Sequence, residues 1–257
     1  MSVVRLEIEY DGTRFSGWAE QPGRRTCEGV LAHALRVVLR TTIDLHVAGR
    51  TDTGVHATGQ VASFVSGAEV DLRRLVKSLA GVLPPDIAVR SAATAPPGFD
   101  ARASAIGRSY EYRVLVGARS PLRRDRVLHH PQPLDLQEMN VAAAACVGQH
   151  EFSAFTPTKT EHVFFARTVR DCAWEARGDE LVLVIEADAF LRNMVRILVG
   201  TMLEVGRGSR PADQMRDLTA GAPRAAAGQT APAHGLTLVG VRYPEPVDGA
   251  PILGAAE

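Results

Sequence analysis

At 257 residues, with 46% hydrophobic and 23% charged residues, the chain has the composition of an ordinary folded protein, and its length suits two domains with separate cores. Twenty-nine basic residues balance 29 acidic ones, so nucleic-acid binding would have to come from locally sorted charge and not from net attraction. No stretch approaches the roughly 18 apolar residues of a membrane span, the start MSVVRLEIEY carries charges where a signal peptide needs an apolar run, and Cys27, Cys146 and Cys172 are too scattered for a disulfide framework or zinc site, so a cytoplasmic protein with reduced thiols and no membrane or metal partner is expected.

In chain order, Val4, Leu6, Ile8 and Tyr10 alternate with polar residues and stop at Asp11-Gly12, which predicts a strand ending in a turn. Leu31, Ala34, Leu35, Val38 and Leu39 recur at helical spacing, and a strand is expected from about Ile43 to Gly49. Another strand surrounds Val61 to Val65. A second helix carries Leu72, Leu75, Val76 and Leu79 on one face, and a short strand holds Ile87 and Val89. The order is β-α-β-β-α-β, the ferredoxin-like unit in which two helices cover one face of an antiparallel sheet and leave the other available.

The second half begins with a strand bearing Tyr110, Tyr112, Val114 and Val116. Asp135 and Glu138 form a capping-box pair ahead of an Ala-rich helix, and strands at about Thr168–Ala176 and Leu181–Ala187 flank the tight turn Arg177-Gly178-Asp179. A helix is predicted from Phe190 to Glu204, with Leu191, Met194, Val195, Leu198, Val199 and Met202 as its buried stripe, and a last strand from Leu236 to Tyr243. TAGAPRAAAGQTAPAHG reads as a turn-rich connection. The expectation is an α+β chain of two ferredoxin-like halves, 1–104 and 105–245, with a tail at 246–257. The halves share a mixed, mostly antiparallel sheet with helices on one side and a central cleft.

The segment richest in chemistry is AGRTDTGVHATGQVASF, residues 48–64, where a strand ends in a polar loop holding Arg50, Asp52 and His56 between glycines. A loop carboxylate has two readings. It caps a turn, as most such Asp residues do, or it serves as nucleophile or base, kept ionised by a nearby guanidinium.

This run resembles the signature of the TruA-type tRNA pseudouridine synthases, A-G-R-T-D-x-G-V-H-A/G, at each fixed position. Further marks of that family follow in order: EYDGTRFSGW at 9–18, LPPDIAVR at 83–90, FDARASAIGRSYEYRV at 99–114, HEFSAF at 150–155, FLRNMVRILVGTMLEVG at 190–206 and GLTLVGVRYP at 235–244. The resemblance implies that Asp52 is the essential aspartate, that Tyr110 stacks on the target uracil and that Arg196 pairs with the aspartate. It also implies RNA contacts from Arg50, His56 and Arg102. The implied substrate is tRNA, modified at positions 38 to 40 of the anticodon arm, without cofactor or metal, by a homodimer whose second subunit helps hold the RNA.

Judged by pattern alone, Tyr110 is a packing residue of an alternating strand, Arg196 beside Arg192 is a solvated helix face, and His56 fits either a loop carbonyl or substrate. Ala19 and Glu28 stand where many relatives have glutamine, in a region expected to face RNA. The basic groups are nearly all arginine, only Lys77 and Lys159 being lysine, and Arg24-Arg25, Arg73-Arg74 and Arg123-Arg124-Arg126 are candidate phosphate contacts. Two rival classes remain in view. Asp52-Thr53-Gly54 spells the aspartic-protease triplet, but that chemistry needs two carboxylates sharing a proton, and arginine neighbours favour full ionisation. A non-catalytic RNA-binding protein would share the fold and lack turnover.

Overall fold

The computed structural model describes residues 2–160 and 163–244, so the tail expected at 246–257 lies outside the described residues. The chain is α+β, with strands that pair almost wholly antiparallel, and divides into two units: Met1–Ile106 with Leu238–Glu257, and Gly107–Thr237. Among the described residues no helix is long and apolar enough to cross a membrane.

In the first unit, β1 (Ser2–Tyr10), α1 (Cys27–Leu39), β2 (His46–Val47), β3 (His56–Ser66), α2 (Leu72–Val82) and β4 (Ile87–Ala95) follow the expected βαββαβ order. β1 lies antiparallel between β4 and β3, and β2 adds antiparallel to β3. The alternation of β1 buries Val4, Leu6, Ile8 and Tyr10. Thr26 and Asp71 cap the two helices by accepting from the N–H groups of Gly29 and Arg74. The strand expected over Ile43–Gly49 is confined to His46–Val47, because only Ser63 and Ala62 of β3 pair with it. A bulge in β3 between the pairs Ile8–Gln60 and Tyr10–Ala57 inserts one extra residue where the strand leaves the loop of Asp52.

The other sheet face is not bare. Arg5 and Glu7 form an ion pair at 2.6 Å that also engages Ser91, and Val3, Val61, Phe99, Ala101 and Tyr243 bury a second, smaller cluster.

The second unit holds β5 (Gly107–Val116), β6 (Leu128–His130), α3 (Leu136–Ala144), β7 (Gly148–Glu151), β8 (Ala166–Arg177), β9 (Glu180–Ala187), α4 (Met194–Gly206) and α5 (Gln214–Thr219). The order β5-α3-β8-β9-α4 follows the opening of the same kind of unit, and β10 (Leu236–Arg242) begins at the end of this unit and lies for the most part in the first. β9 lies antiparallel between β5 and β8, and β7 extends the sheet beside β8. Asp135 caps α3 as expected, accepting from the Glu138 N–H at 3.0 Å. α4 is buried on most of its circumference, including Val195, Ile197, Leu198, Val199 and Met202, which makes it the central element of the unit. It starts at Met194 and not at Phe190, because Asn193 adopts a left-handed conformation (φ 61°) that no helical turn can contain.

All three cysteines are free thiols and buried. Burial pushes the Cys27 thiol up to about 12, so it stays protonated as a packing group.

Candidate functional site

Asp52 is half-buried in the loop between β2 and β3, and the residues around it explain why the loop holds one shape. The Thr51 hydroxyl lies 2.7 Å from the Tyr10 hydroxyl, and Gln60 donates to that phenol at 3.3 Å and to the Gly49 carbonyl at 2.7 Å. The Trp18 N–H donates to the Thr51 carbonyl at 3.0 Å, and the Val55 N–H closes the turn on the Asp52 carbonyl at 3.1 Å. Gly17, at φ +88°, passes beneath. A Cβ there would sit 3.0 Å from the Thr51 carbonyl oxygen and 3.3 Å from the Thr53 nitrogen. The EYDGTRFSGW segment is therefore the floor of the Asp52 loop. Each segment satisfies polar groups of the other.

His56 is 1% exposed, and its Nδ1 accepts the Gly12 N–H at 3.0 Å. With that lone pair occupied, the ring proton of the neutral imidazole lies on Nε2. The Asp11 carboxylate lies 3.2 Å from Nδ1 and also accepts from the N–H and hydroxyl of Thr13. His56 therefore ties the start of β3 to the turn after β1 through the Gly12 N–H.

Arg50 is exposed on the same loop. Arg102, also exposed, follows β4 on a turn whose backbone is fixed by Asp100, which accepts from the N–H groups of Arg102 and Ala103 at 2.7 Å each and pairs with His46. Ala101 anchors that turn to β3 by donating to Ser63 at 2.9 Å, and Ala101 and Ala48 bury in one cluster. The segments bearing Arg50, Asp52 and Arg102 thus leave the same small core.

In the second unit Tyr110 sits on β5 opposite Ile185 and is buried, with its ring met edge-on by Phe190 at 5.1 Å and 88°. Arg196 lies in the first turn of α4, half-buried. Its Nε donates to the Ala231 carbonyl at 2.8 Å and one terminal nitrogen donates to Asn193 Oδ1 at 3.1 Å, while the Ala231 N–H returns to the Arg196 carbonyl at 3.0 Å.

The segment Gly228–Pro232 is bound to α4 throughout. The Gly228 N–H donates to Thr201 at 2.9 Å, and Gly200 approaches so closely that a Cβ would lie 1.7 Å from the Gln229 carbonyl oxygen. Tyr112 completes the clamp by donating to the Pro232 carbonyl at 2.8 Å. Burial raises its hydroxyl far above the usual range while the Arg196 charge pulls the other way, so the phenol stays a donor.

The arginine runs differ in exposure and in how they are held. Arg25 forms a two-pronged pair with Asp86 and lies over the Phe15 ring at 4.1 Å, and Arg123 is held by Asp179 and Glu180. Arg24, Arg73, Arg74, Arg124 and Arg126 are exposed. Sequence reasoning missed the supporting residues Tyr10, Thr51, Gln60, Phe190 and Asn193.

The family model described as tRNA pseudouridine synthase matches residues 7–102 and 142–244. Proteins named tRNA pseudouridine synthase A are similar over most of the chain. That of Streptomyces avermitilis is 47% identical over 252 residues, covering 94% of this chain and 88% of its own. That of Streptomyces griseus is 45% identical over 256 residues with the same coverage, and that of Halalkalibacterium halodurans is 42% identical over 238 residues, covering 92% and 90%. Among solved structures, the crystal structure of a Cbf5–Nop10–Gar1 complex overlaps 78% of this chain and 54% of its own at 12% identity and a TM-score of 0.34, a likeness too remote to bear on function. On the family match and these identities, the chain belongs to the tRNA pseudouridine synthases, a family of isomerases that act on tRNA.

Proposed function

We propose that this chain isomerises uridine to pseudouridine at positions 38 to 40 of the tRNA anticodon stem-loop, with Asp52 as the catalytic carboxylate, Tyr110 as the stacking platform and Arg196 as the partner of the carboxylate. The observation that carries the reading is the floor beneath Asp52, where Gln60 and the Trp18 N–H donate to the Gly49 and Thr51 carbonyls of one loop and the Tyr10 hydroxyl meets the Thr51 hydroxyl. A turn-capping aspartate needs no such support, whereas a reacting carboxylate gains from being held in one geometry.

The reaction balances without an outside reagent. The N1–C1′ bond breaks, the base turns, a C5–C1′ bond forms, and the hydrogen lost from C5 is made up by one gained at N1. An ionised carboxylate serves whether it meets the ribose or the base. The uridine must first leave its stack at about a few kcal/mol, and an aromatic platform returns roughly 1 to 3 kcal/mol of that. Tyr110 suits the task because Phe190 fixes its ring edge-on. Arg196 suits its task because two of its donors are already held in place, which leaves its charge at a defined point. Arg50 and Arg102, exposed on segments that leave one core, serve as RNA contacts, and His56 acts by holding its loop. The family resemblance supports a cytoplasmic homodimer.

The test is incubation with an unmodified tRNA transcript followed by mapping of pseudouridine. Product confined to positions 38 to 40 is expected. RNA binding with no product would instead identify a non-catalytic RNA-binding protein.

A further inference from the structure

We propose that Asn193 is a positioning residue for the reaction, one that aims the Arg196 guanidinium; the inference rests on the reading of Arg196 given above. Asn193 occupies the N-cap of α4, and asparagine there ordinarily accepts a hydrogen bond from the N–H two or three residues on. Here the side chain makes no capping bond. Its Oδ1 accepts instead from a terminal nitrogen of Arg196 at 3.1 Å, while the Ala231 carbonyl takes Nε at 2.8 Å. Two acceptors on two donors of a planar group fix both its position and the rotation of its plane, which one acceptor does not.

The backbone points the same way. Asn193 and Arg40 are the two residues other than glycine with positive φ among those described. Arg40 closes the C-terminal end of α1, where a left-handed residue is ordinary, whereas Asn193 precedes a helix. Its carbonyl accepts from the Ile197 N–H at 3.0 Å, so the strained residue still starts the helix while its side chain serves another purpose. The position gives up a cap and accepts a strained conformation, and the contact obtained in return is the one to Arg196.

This arrangement separates stability from activity. Asn193→Gly keeps the positive φ without strain and forfeits no capping bond, so its melting temperature should equal or exceed that of the parent. Loss of the second acceptor should lower kcat on unmodified tRNA by about tenfold or more, with KM changed by no more than about twofold. Asn193→Asp keeps an acceptor oxygen in the same place and should restore most of the rate. In an Arg196→Ala background, already slow, Asn193→Gly should cost nothing further, because Asn193 acts only through Arg196.

The proposal is overturned if Asn193→Gly turns over at the parent rate while Arg196→Ala is inactive. It is equally overturned if Asn193→Gly and Asn193→Asp lose rate and melting temperature together, which marks a structural role. Parent-level turnover by Arg196→Ala would instead remove the reading of Arg196 on which the proposal stands.

Discussion

The hydroxyls of Tyr10 and Thr51 lie 2.7 Å apart, joining the end of the first strand to the residue that immediately precedes Asp52. Tyr10 is buried between Phe15 and Trp18, so its position is set by packing and it transfers that rigidity to the loop. Tyr10→Phe keeps the packing and removes the hydroxyl. A loss of about 1 kcal/mol in urea denaturation is expected, together with a fall in kcat larger than the rise in KM, because the loop that carries Asp52 loosens while the exposed arginines proposed to hold RNA are unchanged. Unchanged kcat with full loss of stability would separate the floor from the chemistry.

Gly17→Ala tests the same floor from the other side. A methyl group at φ +88°, 3.0 Å from the Thr51 carbonyl oxygen, meets backbone that cannot step aside. Equilibrium unfolding should show a cost of about 1 to 3 kcal/mol, with turnover falling further than Tyr10→Phe lowers it.

Gly200→Ala should act on the second unit. The new Cβ would lie 1.7 Å from the Gln229 carbonyl oxygen, so the segment 228–232 must move off α4 and carry the Ala231 carbonyl away from Arg196. Loss of about 1 to 3 kcal/mol of stability is expected from the overpacking, with turnover reduced alongside. Turnover at the parent rate would show that the Ala231 contact is dispensable.

The strands and helices with clear periodicity were legible in the sequence. The alternation of Val4, Leu6, Ile8 and Tyr10 and the capping pair at Asp135 and Glu138 depend on neighbours close in the chain, and both formed as written. What escaped depends on distant partners. β2 shrank to His46–Val47 because its length is set by how much of β3 pairs with it. β6 and β7 are too short to show a period. At the site, the motif around Asp52 was plain, but its supports link residues far apart. Tyr10 meets Thr51 and Gly12 meets His56, and in the second unit Arg196 meets Ala231, pairings that no local pattern encodes. TAGAPRAAAGQTAPAHG read as a turn-rich connection, and its placement on α4 became apparent only from the close approach of Gly200 and the hydrogen bond between Gly228 and Thr201.

A pH dependence follows from the turn that carries Arg102. The hydrogen bond to Asp44 raises His46 above its usual value, burial works against the rise, and Asp100 adds to it. Burial opposes ionisation of Asp100, but the N–H groups of Ala103 and Arg102 and the His46 ring outweigh it and hold that carboxyl low. A histidine favoured as imidazolium in the folded chain stabilises fully below its unfolded value of about 6.5, and that contribution fades as pH rises through the higher folded value. His46→Gln should therefore narrow its stability gap to the parent as pH climbs above about 6.5. The effect is small, since the His46 side chain is 49% exposed and solvent screens the pair. A gap constant from pH 5.5 to 8.5 in paired melting curves would contradict the assignment.

The most direct measurement of the central claim is the Asp52→Asn variant assayed on one unmodified tRNA for both affinity and pseudouridine formation. The replacement keeps the size of the side chain, exchanges one acceptor oxygen for a donor amide and removes the negative charge, so tRNA should bind within about threefold of the parent while no pseudouridine forms. Ordinary turnover by Asp52→Asn would contradict the account at its root.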